Sequence, residues 1–169
     1  VNDPNARSLH HRRMSNNSIW FEKKPSKEEF DLIIELLKAE GEPGFGNAEA
    51  ARKRRPNAEG VNPCFEILLD SKQVCNLTTV NVRAFVVEDN GNYTLDLKGL
   101  ERAQRLSARI GLRMTLATLE IPEWDEKQKR DHLIGTSVTG WQDALELINA
   151  TTEDEIKLMK LLHKVAREE

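Results

Sequence analysis

Asn62-Pro63-Cys64-Phe65-Glu66 carries an amide, a thiol and a carboxylate at alternate positions, and a second thiol follows at Cys75. Pro63 fixes its own φ and pushes Asn62 away from helical backbone, so the stretch is expected to be stiff and extended. Side chains alternate along an extended segment, which would put Asn62, Cys64 and Glu66 on one side, converging on one ligand. Such a trio suits a reaction in which Glu66 takes a proton and Asn62 holds a hydroxyl or carbonyl. Cys64 would act either as nucleophile or as radical carrier, two roles that the residue types do not separate.

Several other chemistries are poorly served. Cys64 and Cys75 are the two cysteines of the chain, too few for a secreted disulfide framework, and in a reducing compartment paired thiols point to redox chemistry. Two thiols do not make a four-ligand zinc site, and His10, His11, His132 and His163 stand at no metal-type spacing from them, so no metal centre is expected. Net charge is −3 with 31% charged residues, which provides no global basic field for nucleic acid. Trp20, Trp124 and Trp141 are too scattered for a base-stacking platform and are assigned to packing. The run Arg52-Lys53-Arg54-Arg55 reads as solvated surface rather than a phosphate site. No apolar run approaches membrane-helix length, and the polar start at Val1 lacks a signal-peptide core, so a cytoplasmic location is expected. The absence of an initiator methionine suits a processed, split or excised piece.

The elements that must position these groups follow from periodicity and caps. Residues 1–18 read as a polar loop, with Ser18 to Phe21 opening a short strand. Ser26 and Glu29 form a capping box ahead of an apolar face at Phe30, Ile33, Ile34 and Leu37, and Gly41 supplies the stop. Gly41 to Asn62 reads as a long loop with one helical turn near Ala48 to Arg52. After a turn at Asp70-Ser71-Lys72, Cys75 to Val82 reads as a strand, followed by a hairpin around Asp89 to Asn92. Asp96 caps a long helix running from Leu97 to Ala117 that Pro122 ends. A charged helix from Glu123 to His132, a strand from Leu133 to Thr139, a short helix from Trp141 to Ile148, and a final helix capped by Thr152 and Glu155 complete the string. The alternation defines a mixed α/β class.

Asn62-Pro63-Cys64-Phe65-Glu66-Ile67 followed by Cys75-Asn76-Leu77 resembles the finger loop and following strand of ribonucleotide reductase large subunits. The separation of the two cysteines is similar to that of the adenosylcobalamin-dependent class. Phe65 departs from the small or polar residue expected there, a change in packing rather than in chemistry. Arg12-Arg13-Met14-Ser15-Asn16-Asn17 resembles the family's substrate-specificity loop, and Leu133 to Gly140 a late barrel strand, so the resemblance covers nearly the whole chain.

That resemblance implies one segment, 1–169, of a ten-stranded α/β barrel with a central finger loop. It holds a specificity-type loop at 8–18, the finger loop at 60–70, and barrel strands and helices at 75–169. It implies that Cys64 becomes a thiyl radical with adenosylcobalamin as cofactor and removes the ribose 3′ hydrogen of a ribonucleoside di- or triphosphate. Glu66 would deprotonate the 3′ hydroxyl, Asn62 would orient the ribose, and Pro63, Arg13, Met14, Ser15 and Asn16 would line the substrate. Cys75 would form a disulfide with a third cysteine that this sequence does not contain, re-reduced by a thioredoxin-like or other dithiol partner. The remainder of the barrel would be supplied in cis or in trans. A thiol-disulfide oxidoreductase using Cys64 and Cys75 as its own pair is the competing enzyme class, although such pairs usually sit two residues apart. A non-catalytic complementing half of a split protein is the third reading.

Overall fold

The computed structural model describes residues 15–169. Arg13 and Met14 of the expected specificity loop lie outside the described residues. The chain forms two compact units that divide between Lys72 and Gln73, beside the expected turn at Asp70-Ser71-Lys72.

In the first unit, β1 (Ser18–Phe21) and β2 (Gly44–Asn47) pair in parallel across α1 (Lys27–Glu40). Ser26 caps α1 by accepting from the Glu29 N–H at 3.1 Å, while the Glu29 carboxylate accepts from the Ser26 N–H at 2.8 Å. Two otherwise orphaned donors are satisfied together. Gly41, at φ 74°, ends the helix in the left-handed conformation that only glycine adopts at no steric cost. β2 corrects the expected long loop, although the helical turn inside it is real, as α2 (Ala48–Arg54). Two short antiparallel strands follow, β3 (Gly60–Val61) and β4 (Leu68–Leu69).

The second unit is built on β5 (Asn76–Asn81) and β8 (Ile134–Thr139), parallel and in register from Asn76 with Ile134 to Asn81 with Thr139. Between them come a 3₁₀ turn at Val82–Phe85, the hairpin β6 (Val86–Asp89) and β7 (Asn92–Leu95), α3 (Leu97–Met114) and α4 (Pro122–Asp131). α5 (Trp141–Leu147) and α6 (Thr152–Glu168) follow. Val80, Val82, Leu100, Ala144, Leu145, Leu158 and Leu162 form the buried core of this unit. Burying each large aliphatic among them contributes roughly 1.5–3 kcal/mol.

Two boundaries differ from the expectation. α3 stops at Met114 because fully buried Thr115 turns its hydroxyl onto the Leu112 carbonyl at 2.6 Å, and Pro122 starts the next helix rather than ending this one. Proline suits the first helical turn, where no intrahelical N–H is needed. The last helix is capped one residue earlier than expected, by Thr151 with Asp154.

The mixed α/β class therefore stands. Among the described residues each strand has a single neighbour and no sheet closes, so these residues form no barrel by themselves.

Candidate active site

Pro63 does more than stiffen the chain. The Phe65 N–H donates to the Asn62 carbonyl at 3.0 Å, so residues 62–65 form a β-turn with Pro63 and Cys64 at its two central positions. Proline at the first central position pre-sets the φ that such a turn requires. The expected extended segment with three side chains alternating on one side is thus corrected to a turn. Pairing continues from β3 and β4 through the Asn62 N–H and the Ile67 carbonyl at 3.3 Å, which leaves Pro63 to Glu66 as a four-residue hairpin loop. Cys64 stands at its tip with an exposed thiol, and Glu66 is exposed on the descending limb.

Asn62 is half-buried, and its Oδ1 accepts from the Ile67 N–H at 3.0 Å. An acceptor is required at that contact, so the oxygen end of the amide is committed to the Ile67 N–H. Asn16 Nδ2 reaches the Pro63 carbonyl at 3.4 Å, which ties the end of the expected specificity loop to the 62–65 turn. Ser15 instead accepts locally from Asn17 Nδ2, at 2.8 Å on its carbonyl.

Phe65 adopts φ 64° and is half-buried. Its ring lies against the glycines of β2: a Cβ on Gly44 would sit 3.3 Å from Phe65 Cε2, and one on Gly46 would overlap Cε1. The same Gly46 Cβ would come within 3.1 Å of the Trp20 ring. Phe65 is therefore seated on the face of β2 that Gly44 and Gly46 leave without side chains. Glycines two apart in a strand mark close approach of another group, the one sequence signal that ties Gly44 and Gly46 to this site.

The base of the finger is braced from α2. Arg52 pairs with Glu22 through both terminal nitrogens, one contact at 2.8 Å, and its Nε donates to the Ala58 carbonyl at 3.2 Å. The guanidinium holds the Glu22 carboxyl below its ordinary range, chiefly through this hydrogen bond. Lys53 pairs with Glu49 at 2.8 Å, so these two members of the basic run are engaged in surface ion pairs. Across the finger, Asn57 Nδ2 donates to Asp70 at 3.2 Å.

In the second unit Cys75 directly precedes β5, is half-buried, and lies 4.0 Å from the Asn76 carbonyl. Cys64 and Cys75 are both thiols rather than halves of a disulfide. Asn76 Nδ2 donates to Gln128 Oε1 at 3.0 Å, and Gln128 Nε2 donates to the Ala117 carbonyl at 3.1 Å. Gln73 bonds to Asp131, so α4 holds the residues on both sides of Cys75. The described residues contain no metal-ligand cluster and no helix long and apolar enough to cross a membrane.

The turn thus presents the Cys64 thiol between Asn62 and Glu66, and the second thiol, Cys75, directly precedes a parallel strand in the other unit. The family described as the ribonucleotide reductase barrel domain matches residues 3–158, and the chain belongs to it. It is 30% identical over 145 residues to the adenosylcobalamin-dependent ribonucleoside-triphosphate reductase of Lacticaseibacillus paracasei, covering 79% of this chain and 18% of that enzyme. It is 32% identical over 151 residues to the enzyme of the same name from Lactobacillus gasseri, covering 79% and 18%. With the Lactobacillus leichmannii enzyme the figures are 28% over 148 residues, covering 81% and 19%. The chain thus spans about a fifth of the length of these relatives.

Proposed function

We propose that this chain is the part of an adenosylcobalamin-dependent ribonucleoside-triphosphate reductase that carries the radical thiol, within a ten-stranded barrel completed by further polypeptide. The observation that carries the reading is the exposed Cys64 thiol at the tip of a hairpin closed by Asn62 and followed by Glu66. The names of the relatives support a triphosphate substrate and the cobalamin cofactor.

A hydrogen-abstracting thiol must be reachable from outside its loop, and Cys64 meets that requirement. Adenosylcobalamin, when bound, supplies the radical that takes the hydrogen from Cys64. Cys64 then removes the ribose 3′ hydrogen and returns it at the end of the cycle. Glu66 accepts the 3′ hydroxyl proton, which an exposed carboxylate is able to do. Asn62 orients the ribose through its amide NH2, which the loop-closing bond does not use. Loss of the 2′ hydroxyl as water requires two electrons and two protons. Cys75 supplies half of them by forming a disulfide with a cysteine from the rest of the protein, and a dithiol reductant restores the pair.

The direct test is turnover of a ribonucleoside triphosphate by the whole protein with adenosylcobalamin and dithiothreitol, comparing Cys64→Ser, Glu66→Gln and Cys75→Ser. The reading requires Cys64→Ser to abolish both turnover and exchange of hydrogen between cofactor and solvent. Cys75→Ser should retain that exchange and stop after one reduction at most. Exchange that persists in Cys64→Ser would refute the radical assignment.

A further inference from the structure

We propose that Gln128 is a positioning residue for the Cys75 thiol, acting through Asn76. The inference rests on the redox role proposed for Cys75 but is carried by separate geometry. Gln128 is 1% exposed, on the inner side of an otherwise highly charged helix. Burying a carboxamide is costly unless its donor and acceptor ends are both used. Here the Ala117 carbonyl takes the NH2 end and the Asn76 NH2 takes the oxygen, so neither end is able to flip without setting like against like.

The consequence for Cys75 follows from strand parity. Asn76 is drawn toward the helices, as are Thr78, whose hydroxyl meets Ser107 at 2.8 Å, and buried Val80. Leu77, Thr79 and Asn81 alternate to the opposite, exposed side, where Leu77 is 51% exposed. Cys75 has the parity of this second set. The Asn76 N–H also donates to the Leu133 carbonyl at 3.1 Å, which fixes the first rung beside β8. With Gln73 held by Asp131, the short segment bearing the thiol is tied on both flanks. Without the Gln128 bond, Asn76 would lose its inward anchor and the thiol its direction.

The test reads the thiol itself. Trypsin cleavage after Lys72 and Arg83 releases Cys75 in the peptide Gln73 to Arg83, separate from Cys64, so isotope-coded alkylation of the whole folded protein reports both thiols. Gln128→Met and Asn76→Ala should each raise the Cys75 alkylation rate about fivefold, the equivalent of one lost neutral hydrogen bond, and leave Cys64 unchanged. The double variant should match the singles, because both remove the same contact. Turnover should show lower kcat at unchanged KM. Should Gln128→Met fail to fold, Asn76→Ala tests the proposal by itself, since it leaves the Gln128 bond to Ala117 in place. Unchanged Cys75 alkylation in the folded variants, or rate effects that multiply in the double, would overturn the positioning role. Normal turnover by Cys75→Ser would instead overturn the redox assignment and leave the alkylation result standing.

Discussion

Phe65 and Gly46 exclude one another's alternatives: the phenyl ring fills the space that a side chain at position 46 would occupy. The residue beside the Cys64 thiol is thereby seated on β2, and the backbone of Phe65 is held at φ 64°, which a non-glycine residue adopts only at a cost. Gly46→Ala should destabilise the chain by about 1–3 kcal/mol, as overpacking does. Phe65→Gly relieves both the steric conflict and the left-handed backbone, so the double variant should be more stable than the sum of the singles implies. Urea unfolding of the four chains measures the coupling. Additive effects would mean that the ring does not rest on β2.

Asn62 has a loop-closing duty that is separable from substrate contact. Asn62→Ala should leave the Ile67 N–H without its acceptor, cost about 1 kcal/mol, and speed amide exchange at Ile67. Asn62→Asp retains the acceptor and should protect Ile67 while losing the amide NH2, so its reductase turnover should fall although the loop stays closed. Hydrogen exchange and activity, measured on the same preparations, separate the two duties. Equal exchange rates in the alanine variant and the parent would remove Asn62 from the closure.

Local chemistry made much of this fold readable. The Ser26 and Glu29 pair, Gly41 and the Asp96 cap each satisfy helix-end groups within a few residues, and the structure has them where the sequence indicates. β2 was hidden because Gly44 and Gly46 have low strand propensity, and that strand is selected by Ser18, Trp20 and Phe65 packing across it. Pro63 in the sequence argues for a stiff, extended segment, although proline equally favours the first central position of a turn. Gln128 gave no signal, since one glutamine in Glu123 to Asp131 looks like surface until Asn76 and Ala117 are brought to it. Chemistry-bearing residue types were legible from spacing; their orientation depended on partners distant in sequence.

Asp125 and Asp154 should contribute to acid sensitivity. Asp125 accepts from Lys129 at 2.7 Å and from the Leu119 N–H at 2.9 Å, and these bonds hold its carboxyl below the ordinary range. Asp154 is lowered by its bonds to the Thr151 hydroxyl and N–H. Because the folded-state values are depressed, the stabilisation is fully present above the unfolded value of roughly 3.9 and is lost as pH falls through the lower folded values. Stability measured by urea titration should therefore decline below about pH 4, and Asp125→Asn should flatten part of that decline. An unchanged pH profile in Asp125→Asn would show that its bonds to Lys129 and the Leu119 N–H do not stabilise the fold.

The final prediction concerns how many thiols the chemistry consumes. Reduction of one ribonucleotide by the proposed cycle uses Cys64 as the hydrogen carrier and two further thiols as the electron source, whereas these 169 residues hold only Cys64 and Cys75. β1, β2, β5 and β8 also each keep one edge unpaired among the described residues, and such edges recruit other strands or aggregate. The isolated 169-residue chain should therefore show no turnover with adenosylcobalamin, a ribonucleoside triphosphate and dithiothreitol, and should self-associate in sedimentation experiments. Supplying the rest of the protein as a separate polypeptide should restore both solubility and turnover, and Cys64→Ser in the restored complex should remove the turnover while leaving the complex assembled. Reduction by the isolated chain would show that two cysteines suffice and that the barrel is not needed to position them.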